Sequence, residues 1–516
     1  MKITNLSLGS LFFALFLGWC GLSHADQVTV DTGILEGTSE GGARIFKGIP
    51  YAAPPVGDLR WKAPQPAAHW EGVRKADQFG ARATQARLFG DMIFRDNGPG
   101  EDCLYLNVWT PAKDATEKLP VMVWIYGGGF VAGGSSEPRQ DGGNLAKKGV
   151  VVVSMNYRLG IFGFFSHPEL TAESSNHASG NYGLMDQAAA LEWVHRNIAA
   201  FGGDPNRVTI FGESAGSFSV SALMASPLSR NLIQGAIGES GAFFGDTLSA
   251  PPLDQSEKNG VKFAQTMGAE SLAALRGKSA EEVLKASMDK GAPRFGPNID
   301  GYFFPKEVRA IFAAGEQAHI PLLAGWNAHE SGTPESNKST SPTFAEQARQ
   351  LYGENADKFL EAYPARTDAE ARESSSAFSG DRFIAFGTWK WIEMQKQTGG
   401  KPVYRYRFDN ALPQPAGTSS HGAYHSAEIE FVFDNLANKE LPFGADDRAV
   451  AVLMSSYWAN FAKTGDPNGN GLPPWPPYEE ATGYQVMHID ATSKASPDDH
   501  RARYEFLDTH QPSNKR

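Results

Sequence analysis

The chain has 516 residues, enough for two or three average domains, although a large α/β protein of this length also folds as one. Hydrophobic residues make up 41% of the sequence and aromatic residues 11%, which excludes a disordered chain and permits a large core. The formal net charge of -11 argues against nucleic acid and anionic membrane surfaces as partners.

The N-terminus has the pattern of a secretory signal. Lys2 precedes an apolar run at residues 6–18 that is too short, with its flanks, to span a bilayer, and residues 23–25 form a small-x-small cleavage site. We therefore expect residues 1–25 to be a signal peptide and the mature protein, secreted or periplasmic, to begin at Asp26. No later run is long and apolar enough for a second membrane segment, so no stable membrane insertion is expected.

Strands and helices alternate along most of the chain. The sequence predicts strands at 28–30, 34–37, 101–109, 119–126, 149–155, 207–211, 320–325 and 402–408, and helices at 183–200 and 446–463. This alternation favours an α/β fold, a mostly parallel central sheet covered by helices on both faces, with its site at the carboxyl ends of the strands. Residues 251–300 and 335–395 interrupt the alternation, and we expect them to be helical excursions over the site within a single domain at 26–516.

A cysteine lies close to one of these strands. Cys103 is the single cysteine that remains once the expected signal is removed, so it cannot form an intramolecular disulfide. We interpret it as a small buried hydrophobic residue rather than a nucleophile.

The strand at 207–211 leads directly into Gly-Glu-Ser-Ala-Gly at 212–216, and a segment with helical spacing follows. Strand, Gly-x-Ser-x-Gly and helix together form a nucleophile elbow, in which a strained serine is held clear of the sheet. The pattern alone is weak, because a second match at 37–41 lies between two short strand-like runs and predicts a hairpin turn. The context therefore indicates Ser214 as the nucleophile.

A serine hydroxyl needs a base within hydrogen-bond reach and an acid that orients the base. In elbow-type hydrolases the acid and then the histidine follow the serine along the chain. Glu330 follows a predicted sheet strand, but the residues alone leave Asp300 and Glu335 as alternatives. His421 and His425 both follow a later strand, and their position does not decide between them.

A run of three glycines at 127–129 directly follows the strand at 119–126. Backbone without side chains is able to approach a substrate oxyanion, and Ala215, the residue after the nucleophile, offers a further N–H. A glycine triplet is also compatible with a tight turn or a phosphate-binding loop, but the Lys-Ser/Thr of a P-loop does not follow it.

Six segments occur in a characteristic order: FKGIPYA at 46–52, EDCLYLNVW at 101–109, YGGGF at 126–130, NYRLG at 156–160, GNYGLMDQ at 180–187 and FGESAG at 211–216. In this order they resemble the type-B carboxylesterases, the cholinesterase and para-nitrobenzyl esterase family of α/β-hydrolases. The resemblance covers nearly the whole mature chain, from about Val28 to the helix at 446–463.

The resemblance implies an α/β-hydrolase fold and a serine esterase that uses no cofactor and no metal and acts on a small-molecule ester. The acid motif of the family matches Glu330, and its His-x-x-Glu-Ile/Leu-x-Phe-Val pattern selects His425 over His421. The oxyanion donors that it implies are Gly128, Gly129 and Ala215.

The chain departs from the family at two positions. The family commonly pairs the position of Cys103 with an earlier cysteine, and residues 80–85 contain none, so that disulfide is absent. Ile93 stands where cholinesterases have the tryptophan that faces choline, which argues against a choline ester as the natural substrate.

We therefore predict an exported serine carboxylesterase that works through an acyl-enzyme and loses activity as the pH falls through an imidazole pKa of about 6–7. One alternative is a specialised esterase for aromatic, polyester or mycotoxin esters with the same triad. Another is a non-catalytic cholinesterase-like binding protein, since the family includes adhesion proteins without the serine. Glu213 is expected either to tune the imidazole or to bond nearby backbone, and Ser240 to support the site through hydrogen bonds.

Overall fold

The structure is a computed structural model that describes residues 26–510. The expected signal peptide at 1–25 lies outside the described residues. The strands are Gln27–Val30 (β1), Gly33–Glu36 (β2), Thr38–Glu40 (β3), Ala43–Pro50 (β4), Val73–Lys75 (β5), Arg82–Ala83 (β6), Pro99–Gly100 (β7), Tyr105–Thr110 (β8), Leu119–Ile125 (β9), Val151–Met155 (β10), Gly203–Glu213 (β11), Gly235–Glu239 (β12), Leu322–Asn327 (β13), Val403–Phe408 (β14), Gln485–Ile489 (β15) and Lys494–Pro497 (β16).

The α-helices are Gly143–Ala146 (α1), Gly160–Phe164 (α2), Pro168–Glu173 (α3), Tyr182–Asn197 (α4), Ala215–Ala225 (α5), Leu253–Thr266 (α6), Leu272–Arg276 (α7), Ala280–Ser287 (α8), Val308–Ala313 (α9), Ser341–Tyr352 (α10), Ala356–Ala362 (α11), Asp368–Gly380 (α12), Phe386–Thr398 (α13), Ile429–Val432 (α14), Ala445–Thr464 (α15) and Arg501–Thr509 (α16). A π-helical turn at Asp381–Ala385 joins α12 to α13. Between residues 26 and 510, no helix has the length and apolar character needed to cross a bilayer.

An 11-stranded sheet lies at the centre of the fold, in the order β16-β15-β14-β13-β12-β11-β9-β10-β8-β4-β3. The strands from β15 through β10 in this order are parallel, and the strands beyond them at either end pair antiparallel. Every residue of β10, β12 and β13 is buried. Because successive side chains of a strand point to opposite faces, burial of all of them means that both faces of the sheet are covered. The predicted α/β-hydrolase architecture is confirmed.

The sequence did not indicate five strands of this sheet, which are β3, β4, β12, β15 and β16. In β12, two glycines within five residues give a low strand propensity, and the strand forms by parallel pairing with β11 and β13. The second Gly-x-Ser-x-Gly match was predicted to be a hairpin turn, and this placement is wrong in detail: Ser39 lies on the edge strand β3, and the turn of the hairpin with β4 is at residues 41–42.

The two excursions differ in regularity. Residues 335–395 are mainly helical as predicted, from α10 through α13, whereas residues 251–300 contain α6, α7 and α8 and then an irregular segment from 288 to 300. Both supply residues to the cavity described below.

Candidate active site

Ser214 lies between the last residue of β11 and the first residue of α5, with φ 54° and ψ -123°. Glycine is required on either side, because a Cβ on Gly216 would lie 1.9 Å from the carbonyl oxygen of Ile125, and one on Gly212 would lie 2.5 Å from the same oxygen. The strand and helix backbones therefore pass close enough to hold the serine in a strained conformation at the end of the sheet.

A chain of hydrogen bonds connects three residues that are distant in sequence. The Oγ atom of Ser214 lies 2.9 Å from Nε2 of His425, and Nδ1 of His425 lies 2.5 Å from Oε2 of Glu330. The structure thus brings together the three residues that the sequence indicated for nucleophile, base and acid.

The carboxylate of Glu330 is held by two further donors. The backbone N–H of Asn327, at the end of β13, donates to Oε1 at 2.7 Å, and Oγ of Ser240, just after β12, donates to the same atom at 2.6 Å. Oε2 is therefore directed to the imidazole of His425. The supporting role expected for Ser240 matches this contact.

Glu213 lies near Nε2 of the imidazole, whereas Glu330 contacts Nδ1. The Oε1 atom of Glu213 lies 3.3 Å from Nε2 of His425 and has no hydrogen-bond partner among the described residues. Burial raises the pKa of Glu213 to about 7. Burial would lower the pKa of His425, but the carboxylates of Glu213 and Glu330 outweigh this effect, so that the pKa is raised above its ordinary value.

Three backbone amides lie free beside the serine. Within residues 26–510, no hydrogen bond is found from the N–H groups of Gly128, Gly129 and Ala215 to another protein group. Gly128 and Gly129 have φ of 94° and 65°, and Ala215 is the first residue of α5, whose positive dipole end favours negative charge. The arrangement offers backbone donors to an oxyanion formed near Ser214.

A cavity of about 540 Å³, the catalytic cavity, contains Ser214 and His425. Its wall includes Gly128 and Gly129 from the glycine loop, Arg294 from the first excursion, and Phe383 and Ile384 from the second. The prediction that both excursions cover the site agrees with this lining. The volume lies in the range of cavities that bind small organic molecules.

The alternatives that the sequence left open lie elsewhere. His421 is exposed, and Asp300 accepts hydrogen bonds from the backbone N–H groups of Tyr302 and Phe304 at 3.1 and 3.0 Å, so it stabilises a turn. Glu335 is exposed on a short 3₁₀ turn.

The remaining candidates from the sequence also lie outside the catalytic cavity. Cys103 is free and buried, and burial raises the pKa of its thiol. Ile93 is 64% exposed and does not line the catalytic cavity. No group of three or more His, Cys, Asp or Glu side chains between residues 26 and 510 is arranged to hold a metal ion.

Sequence reasoning missed Arg139, which lines the catalytic cavity. It is buried, its Nε donates to Glu137 at 2.8 Å, and its Nη1 lies 3.3 Å from Asp91. No motif marks this arginine: Glu137 is two residues away in sequence, but the tertiary fold brings Asp91 and the cavity to it.

The geometry has close counterparts among known proteins. A model of the carboxylesterase family matches residues 24–507. The chain is 39% identical to fumonisin B1 esterase from Sphingopyxis macrogoltabida, over 87% of this chain and 84% of that protein. It is 38% identical to para-nitrobenzyl esterase from Bacillus subtilis (strain 168), over 88% of this chain and 93% of that protein. A solved structure of PNB esterase superposes with a TM-score of 0.80 at 34% identity, covering 93% of this chain and 99% of the other. With the elbow, the fold and these relatives in agreement, the chain belongs to the carboxylesterase family and is a serine hydrolase of carboxylic ester bonds.

Proposed function

We propose that this protein is an exported carboxylesterase that hydrolyses small-molecule esters through an acyl-enzyme formed on Ser214. The observation that carries the proposal is the continuous hydrogen-bond chain from Ser214 through His425 to Glu330 beside the free amides of Gly128, Gly129 and Ala215.

The reaction proceeds in two halves. Oγ of Ser214 attacks the ester carbonyl carbon while Nε2 of His425 takes the hydroxyl proton, and the free backbone amides stabilise the oxyanion. When the oxyanion collapses, the bond to the alcohol breaks and the imidazolium returns the proton to the leaving oxygen. Water then attacks the acyl-enzyme with the same base, and the acid is released. Glu330 fixes the imidazole tautomer and stabilises its charged form throughout.

Substrate choice is a separate question within this mechanism. The family assignment and the esterase relatives argue against a non-catalytic binding protein. A specialised ester is favoured by one observation, the 39% identity to a protein named fumonisin B1 esterase. We propose this class as the second candidate, with the same triad.

The proposal of export is based on the signal-like sequence of residues 1–25. We also propose that residues 26–516 form a single domain. Expression of the full chain in a host with a secretion pathway, followed by mass measurement of the exported product, tests the proposed export. A product that begins at Asp26 supports export, and a retained protein that keeps residues 1–25 contradicts it.

Replacing the nucleophile tests the catalytic assignment. We expect Ser214→Ala to reduce turnover by at least ~10⁴-fold, because the remaining groups supply only binding and oxyanion stabilisation. The measurement is ester hydrolysis by the purified variants, with Ser39→Ala in the other Gly-x-Ser-x-Gly match as the matched control.

Ser39 lies on an edge strand, so its variant should retain wild-type turnover. Near-normal hydrolysis by Ser214→Ala, or an equal loss in both variants, contradicts the assignment.

A further inference from the structure

A second cavity of about 240 Å³, the side cavity, adjoins the catalytic cavity. Gly129, Leu248 and Arg294 line both. Since Gly129 is one of the proposed oxyanion donors, an ester with its carbonyl at Ser214 is able to extend one of its arms into the side cavity.

Arg294 is the notable residue of this shared wall. It is exposed, and among the described residues its guanidinium takes part in no hydrogen bond or ion pair. Asn259 and Ser256 contribute polar groups to the side cavity, and Phe164 and Phe295 contribute aromatic faces. A planar guanidinium with free donors, beside apolar walls, matches the geometry of a carboxylate on an organic chain.

The other charged groups that line the two cavities do not provide an unpaired cation for a substrate carboxylate. The charge of Arg139 is compensated by Glu137, at 2.8 Å, and by Asp91 at 3.3 Å. Glu213 faces His425, so an anion held near the imidazole would be repelled. Asp246 lines the side cavity, but within residues 26–510 it forms no ion pair with Arg294. Arg294 is therefore the arginine left to pair with a substrate anion in the described walls of the two cavities, and that anion must lie closer to Arg294 than to Asp246, which would repel it.

We propose that the side cavity is a subsite for esters that carry a carboxylate on their acyl or alcohol part, and that Arg294 binds this group. The inference rests on the proposed function, because it names the substrate class of the same site. It assigns Arg294 to substrate specificity, while the reaction at Ser214 stays the same for charged and neutral esters.

Two pairs of esters test the proposal and show whether the acyl part or the alcohol part of the ester enters the side cavity. Monomethyl adipate and its amide carry the charge or its neutral isostere on the acyl part, and δ-acetoxyvalerate and its amide carry them on the alcohol part. We expect kcat/KM of the wild type to favour the acid over the amide by about tenfold in at least one pair. Added salt should reduce this ratio, because the guanidinium is exposed.

The ratio of kcat/KM for acid and amide should fall toward one in Arg294→Gln and be partly kept in Arg294→Lys, because lysine retains the charge but not the planar pair of donors. Arg87→Gln is the matched control: Arg87 is also exposed and has no ion pair among the described residues, but it lines a different cavity of about 500 Å³. This variant should keep the wild-type ratio. The pair of esters whose ratio falls in Arg294→Gln identifies whether the acyl or the alcohol part carries the bound carboxylate.

Three results overturn the subsite: a ratio near one in both pairs for the wild type, an unchanged ratio in Arg294→Gln, or an equal fall in Arg87→Gln. If any of these results occurs while the amides are cleaved and a fluorophosphonate labels Ser214, the subsite is refuted but the proposed function is not. A wild type that cleaves no ester and takes no label refutes the proposed function itself.

Discussion

Four of the ten non-glycine residues with positive φ between residues 26 and 510 lie at or next to the proposed active site. Ser214, Ser240 and Ser426 have φ of 54°, 60° and 70°, and Phe130, which follows the glycine loop, has φ of 63°. A conformation of this kind costs about 1–3 kcal/mol at each non-glycine residue, so it persists only where the surrounding structure enforces it. These four residues adjoin or support the nucleophile, the acid, the base and the oxyanion donors, and six other non-glycine residues with positive φ lie elsewhere among residues 26–510 or, like Leu248, in the cavity wall.

Glu213, together with Glu330, raises the pH at which His425 becomes a base. The carboxylate of Glu213, 3.3 Å from Nε2, contributes to the raised pKa of the imidazole. His425 accepts a proton only when it is neutral, so activity falls as the pH drops below this pKa, and we expect the fall above the pH of about 6–7 of an ordinary imidazole. Removing the charge with Glu213→Gln should lower the pKa and move the acid limb of kcat/KM to lower pH by about one unit or more.

The measurement is a pH profile of kcat/KM on a neutral ester for the wild type and Glu213→Gln. Glu335→Gln, which removes an exposed carboxylate, is the control and should leave the profile unchanged. An acid limb that stays in place or moves to higher pH in Glu213→Gln would show that Glu213 does not tune the base.

At the scale of elements, the turn from β11 into α5 depends on close backbone packing. Gly216→Ala would place a Cβ 1.9 Å from the carbonyl oxygen of Ile125 in β9, and backbone cannot move aside as a flexible side chain does. We expect the free energy of unfolding to fall by about 3 kcal/mol or more, at the upper end of overpacking in cores. Chemical denaturation measures it.

Gly100→Ala is the matched control for this substitution, because nothing lies within 4 Å of its added Cβ. Its stability should stay near that of the wild type. Equal stability of the two variants would contradict the close packing of the elbow that the structure shows.

Elements with a strong local pattern could be predicted from the sequence, and those formed by their neighbours could not. β9 and β10 are apolar and rich in valine, so they were recognised within two residues of their bounds. β12 is two-fifths glycine and exists because β11 and β13 lie on either side of it. Because β12 was not predicted, the sequence could not explain why Ser240, which directly follows this strand, lies near Glu330.

For the molecule as a whole, stability does not depend on a disulfide within residues 26–510. Cys103 is the one cysteine in this range, and it is free and buried. A reductant should therefore leave the thermal midpoint of a protein that begins at Asp26 unchanged, and a thiol reagent should react only after denaturation. A midpoint that falls with the reductant would contradict this account.

The strand, turn and helix around Ser214 predicted the nucleophile, whereas Glu330 and His425 were selected among alternatives by their match to the family motifs, even though Ser214 and His425 are 211 residues apart. The walls of the catalytic cavity could not be predicted in the same way. Arg139 comes from a short 3₁₀ turn and Arg294 from an irregular segment, and only the tertiary fold determines which charges are paired and which remain free.

The central claim is that the fold makes one hydroxyl, that of Ser214, reactive through His425. Peptide mapping by mass spectrometry after reaction with a fluorophosphonate tests it most directly. The account predicts one adduct, on Ser214, that forms in proportion to the loss of ester hydrolysis and does not form in His425→Ala. An adduct on another residue that abolishes hydrolysis, or full hydrolysis by protein whose Ser214 is completely labelled, would contradict it.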